Sequence, residues 1–148
     1  MTISPIIRAR LLGGFSVEVA GQPVERFRTR KTALLLAYLL RYPQRHSREH
    51  LLHLFWNGMP EESARNNLRV ALATLRPLLE PPGIPAGSVL QSGRHWVGLN
   101  PEVIETDVAR FEETLRQAAI TADPEAKRRL LDQACACLLY TSPSPRDS

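Results

Sequence analysis

The stretch Arg65-Asn66-Asn67-Leu68-Arg69-Val70-Ala71-Leu72-Ala73-Thr74-Leu75-Arg76-Pro77-Leu78-Leu79 decides how this chain is read. Wound as a helix at about 100° per residue, it separates into two faces. Leu68, Leu72, Leu75 and Leu79 fall on one stripe, with Ala71 and Leu78 at its edge. Arg65, Arg69 and Arg76 fall on another, and Asn66, Val70 and Ala73 hold the centre of the outward face. No acid interrupts Arg65–Leu79, whereas an ordinary solvated face mixes carboxylates with cations. Cations meet phosphates, amides reach base edges, and small or branched apolar groups touch thymine methyls without blocking a groove. Such a face fits a DNA major groove. A core helix with an incidentally basic outer face has the same periodicity, so its neighbours must decide.

Those neighbours have the grammar of a helix-turn-helix. Thr29 is a candidate cap for a helix from Arg30 to about Arg41, whose nearly continuous apolar run Ala33–Leu40 predicts burial on most sides. Ser47 caps a second helix, with Glu49 favourable in its first turn and Leu51, Leu52, Leu54 and Phe55 on its buried side. Asn57-Gly58 stops it, and Pro60 at a first helical position, followed by Glu61 and Glu62, starts the third. Pro81-Pro82-Gly83 ends that helix. Val89–Ser92 and His95–Leu99 then read as two strands about a tight Gly93-Arg94 turn, a wing whose Arg94 reaches a backbone phosphate or a minor groove. The plain alternative is a sheet-completing hairpin with an incidental arginine.

Upstream, Ile6–Leu12 and Phe15–Val19 are strand-like, and Val24 begins a short third strand. Downstream, Asp107–Ala119 and Pro124–Ala134 form a helical pair, with Val108, Phe111, Leu115 and Ala118 on one face of the first and Leu130, Leu131 and Ala134 on one face of the second. A pair of this kind cannot bury both faces alone and reads as the opening of a helical repeat.

Charge divides the 148 residues in the same place. Residues 1–100 carry thirteen Lys/Arg and six Asp/Glu, a net of +7; residues 101–148 carry six and nine, a net of −3. A basic first part suggests a polyanion-binding domain followed by something else. Hydrophobic residues at 43% and charged residues at 23% indicate a globular protein. No apolar run reaches the length of a membrane span, and no signal-peptide pattern opens the chain. Cys135 and Cys137 are too close for an easy disulfide and lack partners for a metal site. These features point to a cytoplasmic protein with no membrane association, cofactor or metal.

The order hairpin, buried helix, Ser47-Arg48-Glu49-His50-Leu51-Leu52-His53-Leu54-Phe55-Trp56, then Glu62-Ser63-Ala64-Arg65-Asn66-Asn67-Leu68-Arg69-Val70-Ala71-Leu72 resembles the SARP-type bacterial transcriptional regulators. The resemblance covers about residues 8 to 134, and Ala64–Arg69 with the preceding helix is its most specific part. It implies an α+β fold: an OmpR/PhoB-like winged helix-turn-helix over residues 1–100, with a small N-terminal antiparallel sheet, three helices and a wing hairpin. Asp107-Val108-Ala109-Arg110-Phe111-Glu112 is similar to the start of the TPR-like bacterial transcriptional activator domain, here residues 101–136 and truncated.

By position, the resemblance assigns base or backbone contacts to Arg65, Asn66, Asn67, Arg69, Ala73, Thr74 and Arg76, beside Val70 from the reading of the face itself. It matches Trp56 to a tryptophan whose indole N–H donates to a phosphate, with core packing as the alternative, and it places Arg30 and Lys31 on the backbone. It equates Asn57, Gly58, Met59, Pro60, Glu61 and Glu62 with the loop that faces RNA polymerase in OmpR-like proteins. The partners implied are double-stranded promoter DNA, RNA polymerase and a second copy in tandem on direct repeats. The chain departs from the family at Ala73 and Pro77, where members often carry basic or polar residues; Pro77 frees the carbonyl of Ala73 and predicts a kink.

Residues 137–148, from Cys137 to Ser148, resemble the translation of a sequencing-library adapter, so the native frame is expected to end near Ala136. Pro143-Ser144-Pro145 could not continue the preceding helical pattern. His46-Ser47-Arg48-Glu49-His50 matches the H-x-x-E-H string of inverted zinc peptidases, but Ser47 as a cap leaves His46 outside the helix. No phosphate loop and no nucleophile elbow occurs, and no enzyme is expected. The competing reading is a winged-helix adaptor that binds protein instead of DNA.

Overall fold

Alternation of apolar and polar residues builds the first sheet. In the computed structural model, which describes residues 5–139 (without the side chains of 136–139), β1 (Ile7–Arg10) buries Ile7 and Ala9 and turns Arg8 and Arg10 outward. It pairs antiparallel with β2 (Ser16–Val19), which buries Val17 and Val19. The two-residue strand β3 (Gln22–Pro23) follows around Ala20 and Gly21, both at positive φ (51° and 84°), as a two-residue hairpin turn requires. The third strand therefore ends before Val24, whose N–H still donates to the Val17 carbonyl at 2.9 Å.

Three helices cover the inner face. Thr29 caps α1 (Arg30–Arg41) by accepting from the Thr32 N–H, and Ser47 caps α2 (Arg48–Phe55) by accepting from the His50 N–H. The third helix, α3 (Glu61–Leu79), starts one residue later than expected. Pro60 is extended (ψ 141°) and its carbonyl accepts the Ala64 N–H, so proline caps the helix from outside. The helix runs through Pro77 to Leu79.

Leu68, Leu72, Leu75 and Leu79 are all buried, together with Ala71, against Leu35, Leu36, Leu39 and Leu40 of α1 and Leu51 of α2. Two apolar expectations fail. Leu34 and Leu54 are 49% and 46% exposed, because each lies on the solvent side of its helix while its neighbours fill the core. An apolar run does not tell which of its members faces out.

A second, three-stranded sheet closes the domain. The hairpin of β5 (Leu90–Ser92) and β6 (Trp96–Leu99) gains an edge from β4 (His46–Ser47), the two residues before α2, giving the order β4-β6-β5. His46 thus sits in a strand. Its Nε2 lies 2.7 Å from the Tyr42 carbonyl and must carry the proton that it donates there.

The first sheet extends past residue 100. A 3-10 turn (Pro101–Val103) leads into β7 (Ile104–Thr106), which pairs parallel with β1 in the order β3-β2-β1-β7. Helices α4 (Asp107–Ile120) and α5 (Pro124–Leu139) then pack against each other. The Asp107 carboxylate accepts the N–H groups of Leu11 (2.8 Å) and Leu12 (3.1 Å) and so ties the end of β1 to the start of α4. Arg41 of α1 reaches Glu112 of α4 at 2.8 Å. The helix expected to stop near Ala134 continues to Leu139, whereas Pro143 and the rest of the adapter-like stretch from residue 140 lie outside the described residues. Asp107→Ala strands two backbone donors, at a cost of about 1–3 kcal/mol each when they stay dry. Urea unfolding should show a lower midpoint for this variant, with Asp107→Asn intermediate because it keeps one acceptor; equal midpoints for all three proteins would reject the tie.

Candidate nucleic-acid interface

Burial of the leucine stripe forces the opposite side of α3 into solvent. Asn66, Arg69 and Ala73 are exposed there, and Val70 is half-buried at the edge. Neither the Asn66 nor the Arg69 side chain has a hydrogen bond or ion pair among the described residues. An amide, a guanidinium and two small apolar groups thus stand on one open face with no acid among them.

Four other residues expected to touch nucleic acid have partners inside the protein. Arg65 lies between Glu49 (3.0 Å) and Glu61 (2.5 Å), and pins the start of α3 to α2. The Asn67 amide points to the Met59 sulfur at 3.1 Å, away from the open face. The Thr74 hydroxyl donates to the Ala71 carbonyl at 2.8 Å. Arg76 Nη1 donates to Glu80 (2.8 Å) and to the Leu90 carbonyl (3.1 Å). Glu61, Ala71 and Glu80 lie one helical turn from the residues they engage, whereas Glu49, Met59 and Leu90 come from other segments and are not legible along the helix.

Glu80 is a residue that sequence reading missed. Its side chain is only 2% exposed, and Oε2 accepts from the N–H groups of Gly87 (3.0 Å), Val89 (3.0 Å) and Leu90 (2.8 Å). Burial pushes its carboxyl upward, but the donors from Leu90, Val89 and Gly87, with Arg76, outweigh burial and hold it below the ordinary value. This carboxylate fixes the hairpin against the C-terminal turn of α3, so it sets where the wing stands relative to the open face.

Trp56 is 7% exposed and belongs to the core, which answers the packing half of its expectation. Its indole N–H has no acceptor among the described residues, yet no fully buried side-chain nitrogen there lacks a partner, so the N–H reaches the surface. Trp56 lines a groove together with His53, Met59 and Glu61, and the Lys31 ammonium lies 5.8 Å from the ring centroid. Arg30 is exposed beside Lys31 at the start of α1, and Arg26 and Arg28 extend this cationic strap. Asn57, Gly58, Met59, Pro60, Glu61 and Glu62 are all exposed between α2 and α3. Arg94 is exposed at the hairpin tip.

The hairpin turn has a different cause from the one its glycine suggested. Gly93 is not among the glycines at positive φ, and its N–H donates to the Trp96 carbonyl at 2.9 Å. Glycine is needed because the Trp96 ring lies on it: a Cβ at Gly93 would stand 2.1 Å from Trp96 Nε1. In the zinc-peptidase string, His46 is bonded to a backbone carbonyl and Glu49 is paired with Arg65.

The elements assemble as a mixed α+β winged helix: helix-turn-helix α2–α3, then a hairpin backed by β4. A solved structure, Mycobacterium tuberculosis EmbR in complex with a low-affinity phosphopeptide, shares this fold with a TM-score of 0.70 at 21% identity, over 95% of this chain and 37% of that one. No protein-family model matches the chain. No curated protein matches it either. Among the described residues, no helix is long and apolar enough to cross a membrane.

Proposed function

We propose that this chain is a SARP-type transcriptional regulator, an activator that binds promoter DNA through α3 and the wing and catalyses no reaction. One observation carries this reading. The outward face Asn66–Arg69–Ala73, with half-buried Val70 at its edge, is acid-free, and the Asn66 and Arg69 side chains have no partner among the described residues, on a helix whose other face is locked in the core. The groups left free are those that read base edges and thymine methyls, while surrounding arginines supply sequence-independent attraction to phosphate. EmbR-like architecture supports the reading at the level of fold. Trp56, Arg30, Lys31 and Arg94 contact the DNA backbone, and the exposed loop Asn57–Glu62 meets RNA polymerase. A second copy binds in tandem on a direct repeat. In this reading α4 and α5 open a TPR-like activator domain, and the protein works in the cytoplasm.

Fluorescence-anisotropy titration of a random-sequence duplex tests the claim. Binding at low salt should weaken linearly in a log–log plot against salt, with a slope of about 0.9 per phosphate neutralised. A protein-binding adaptor would leave the duplex free at every salt concentration, and that result would reject DNA binding.

A further inference from the structure

Three arginines from two segments meet at the wing turn. The connector between α1 and α2 runs along the hairpin: Ser47 pairs with Trp96, and the Arg48 N–H donates to the His95 carbonyl at 2.9 Å. A Cβ on Gly98 would come 2.6 Å from the Gln44 carbonyl, so the connector's backbone lies directly on β6. This contact brings Arg45 over the Trp96 ring, 3.9 Å from its centroid. Arg48 Nε donates to the Gly93 carbonyl at 3.2 Å, and Arg94 stands exposed in the same turn. None of Arg45, Arg48 and Arg94 is ion-paired to a carboxylate among the described residues, although Arg8, Arg41, Arg65, Arg76, Arg110 and Arg116 all are.

We propose that Arg45, stacked on Trp96, acts with Arg48 and Arg94 as a clamp on the phosphate backbone of duplex DNA, with Trp96 as its positioning residue. The inference rests on the DNA-binding reading above and adds Arg45 of the connector and Arg48 at the start of α2 to the wing arginine Arg94. Stacking restricts the guanidinium plane while leaving its in-plane N–H groups free, which suits forked donation to phosphate oxygens. Arg48 is held by one nitrogen and keeps its terminal donors. The cluster stands at the wing turn, away from the outward face of α3, and is assigned to phosphate, so its contribution should not depend on sequence.

Salt-dependent titration of the full chain against A·T-rich and G·C-rich random duplexes provides the test. Arg45→Gln, an exposed change that spares the fold, should lower the magnitude of the log–log salt slope by about one unit on both duplexes. Trp96→Leu should lower it in the same direction, and Arg45→Gln should then add little to Trp96→Leu. Gly93→Ala displaces the ring without touching a cation and should mimic Trp96→Leu, which covers the case of a poorly folded Trp96 variant. An unchanged slope in Arg45→Gln, alongside weakened binding in Arg69→Ala, overturns the clamp and leaves the DNA-binding reading standing. A loss confined to one duplex composition would make Arg45 a base reader and also overturns it. No binding by the unaltered protein rejects both.

Discussion

Glu80→Ala is expected to lower the free energy of unfolding by about 3 kcal/mol, from the loss of buried hydrogen bonds whose donors then stay unpaired. Three backbone N–H groups and Arg76 converge on one carboxylate that is 2% exposed. Alanine leaves the three backbone donors without this acceptor and Arg76 with the Leu90 carbonyl alone, whereas Glu80→Gln keeps an oxygen and should lose less. Urea midpoints at neutral pH measure both. The pH dependence follows from the depressed folded-state carboxyl. The stabilisation is complete above the ordinary value of 4.5 and is lost as pH falls through the lower folded-state value. The stability gap between the unaltered protein and Glu80→Gln should therefore be widest above pH 4.5 and close in stronger acid. A gap that stayed constant across that range would mean that the carboxylate does not carry the link between α3 and the wing.

Arg69→Ala should weaken binding to a specific site by about 5- to 150-fold, the roughly 1–3 kcal/mol of one good base contact. Arg69 is the α3 arginine without an internal partner among the described residues, so its removal leaves the fold untouched. Competition titrations with a selected duplex and a random one separate the two contributions. The ratio of specific to random affinity should collapse along with the affinity. Unaltered affinity for both, in a protein with an unchanged unfolding midpoint, would remove Arg69 from the interface. By contrast, Arg65→Ala and Arg76→Ala remove internal ties and should register in the unfolding midpoint before they register in DNA affinity.

Much of the architecture is legible along the chain because it rests on local rules. Thr29 and Ser47 cap their helices as hydroxyls at those positions do, and the stripe Leu68–Leu72–Leu75–Leu79 repeats at the helical period and is buried. The pairing of β4 with the wing was not legible. Two residues of strand carry no periodicity, and their partner lies about fifty positions away, joined only when the hairpin folds back. The parallel strand β7 escaped for the same reason: Ile104–Thr106 is short and its partner β1 is at the other end of the domain.

Among the interface residues the division is equally physical. Helical periodicity alone determines which residues of α3 face outward, since the angle between side chains depends on sequence spacing. The same spacing sets an acid one turn from Arg65 (Glu61) and from Arg76 (Glu80) and none beside Arg69, but it does not show partners that come from other segments. Arg65, Arg69 and Arg76 have the same chemistry and lie on the same side in sequence. Glu49 from α2 and Glu61 engage the first, the Leu90 carbonyl together with buried Glu80 engages the third, and among the described residues Arg69 has no partner. The sequence by itself determined a helix-turn-helix with an acid-free face. Tertiary structure decided that Glu49 of α2 and the Leu90 carbonyl join the local partners Glu61 and Glu80 on Arg65 and Arg76, because those two groups are brought there by distance in space and not by position along the chain.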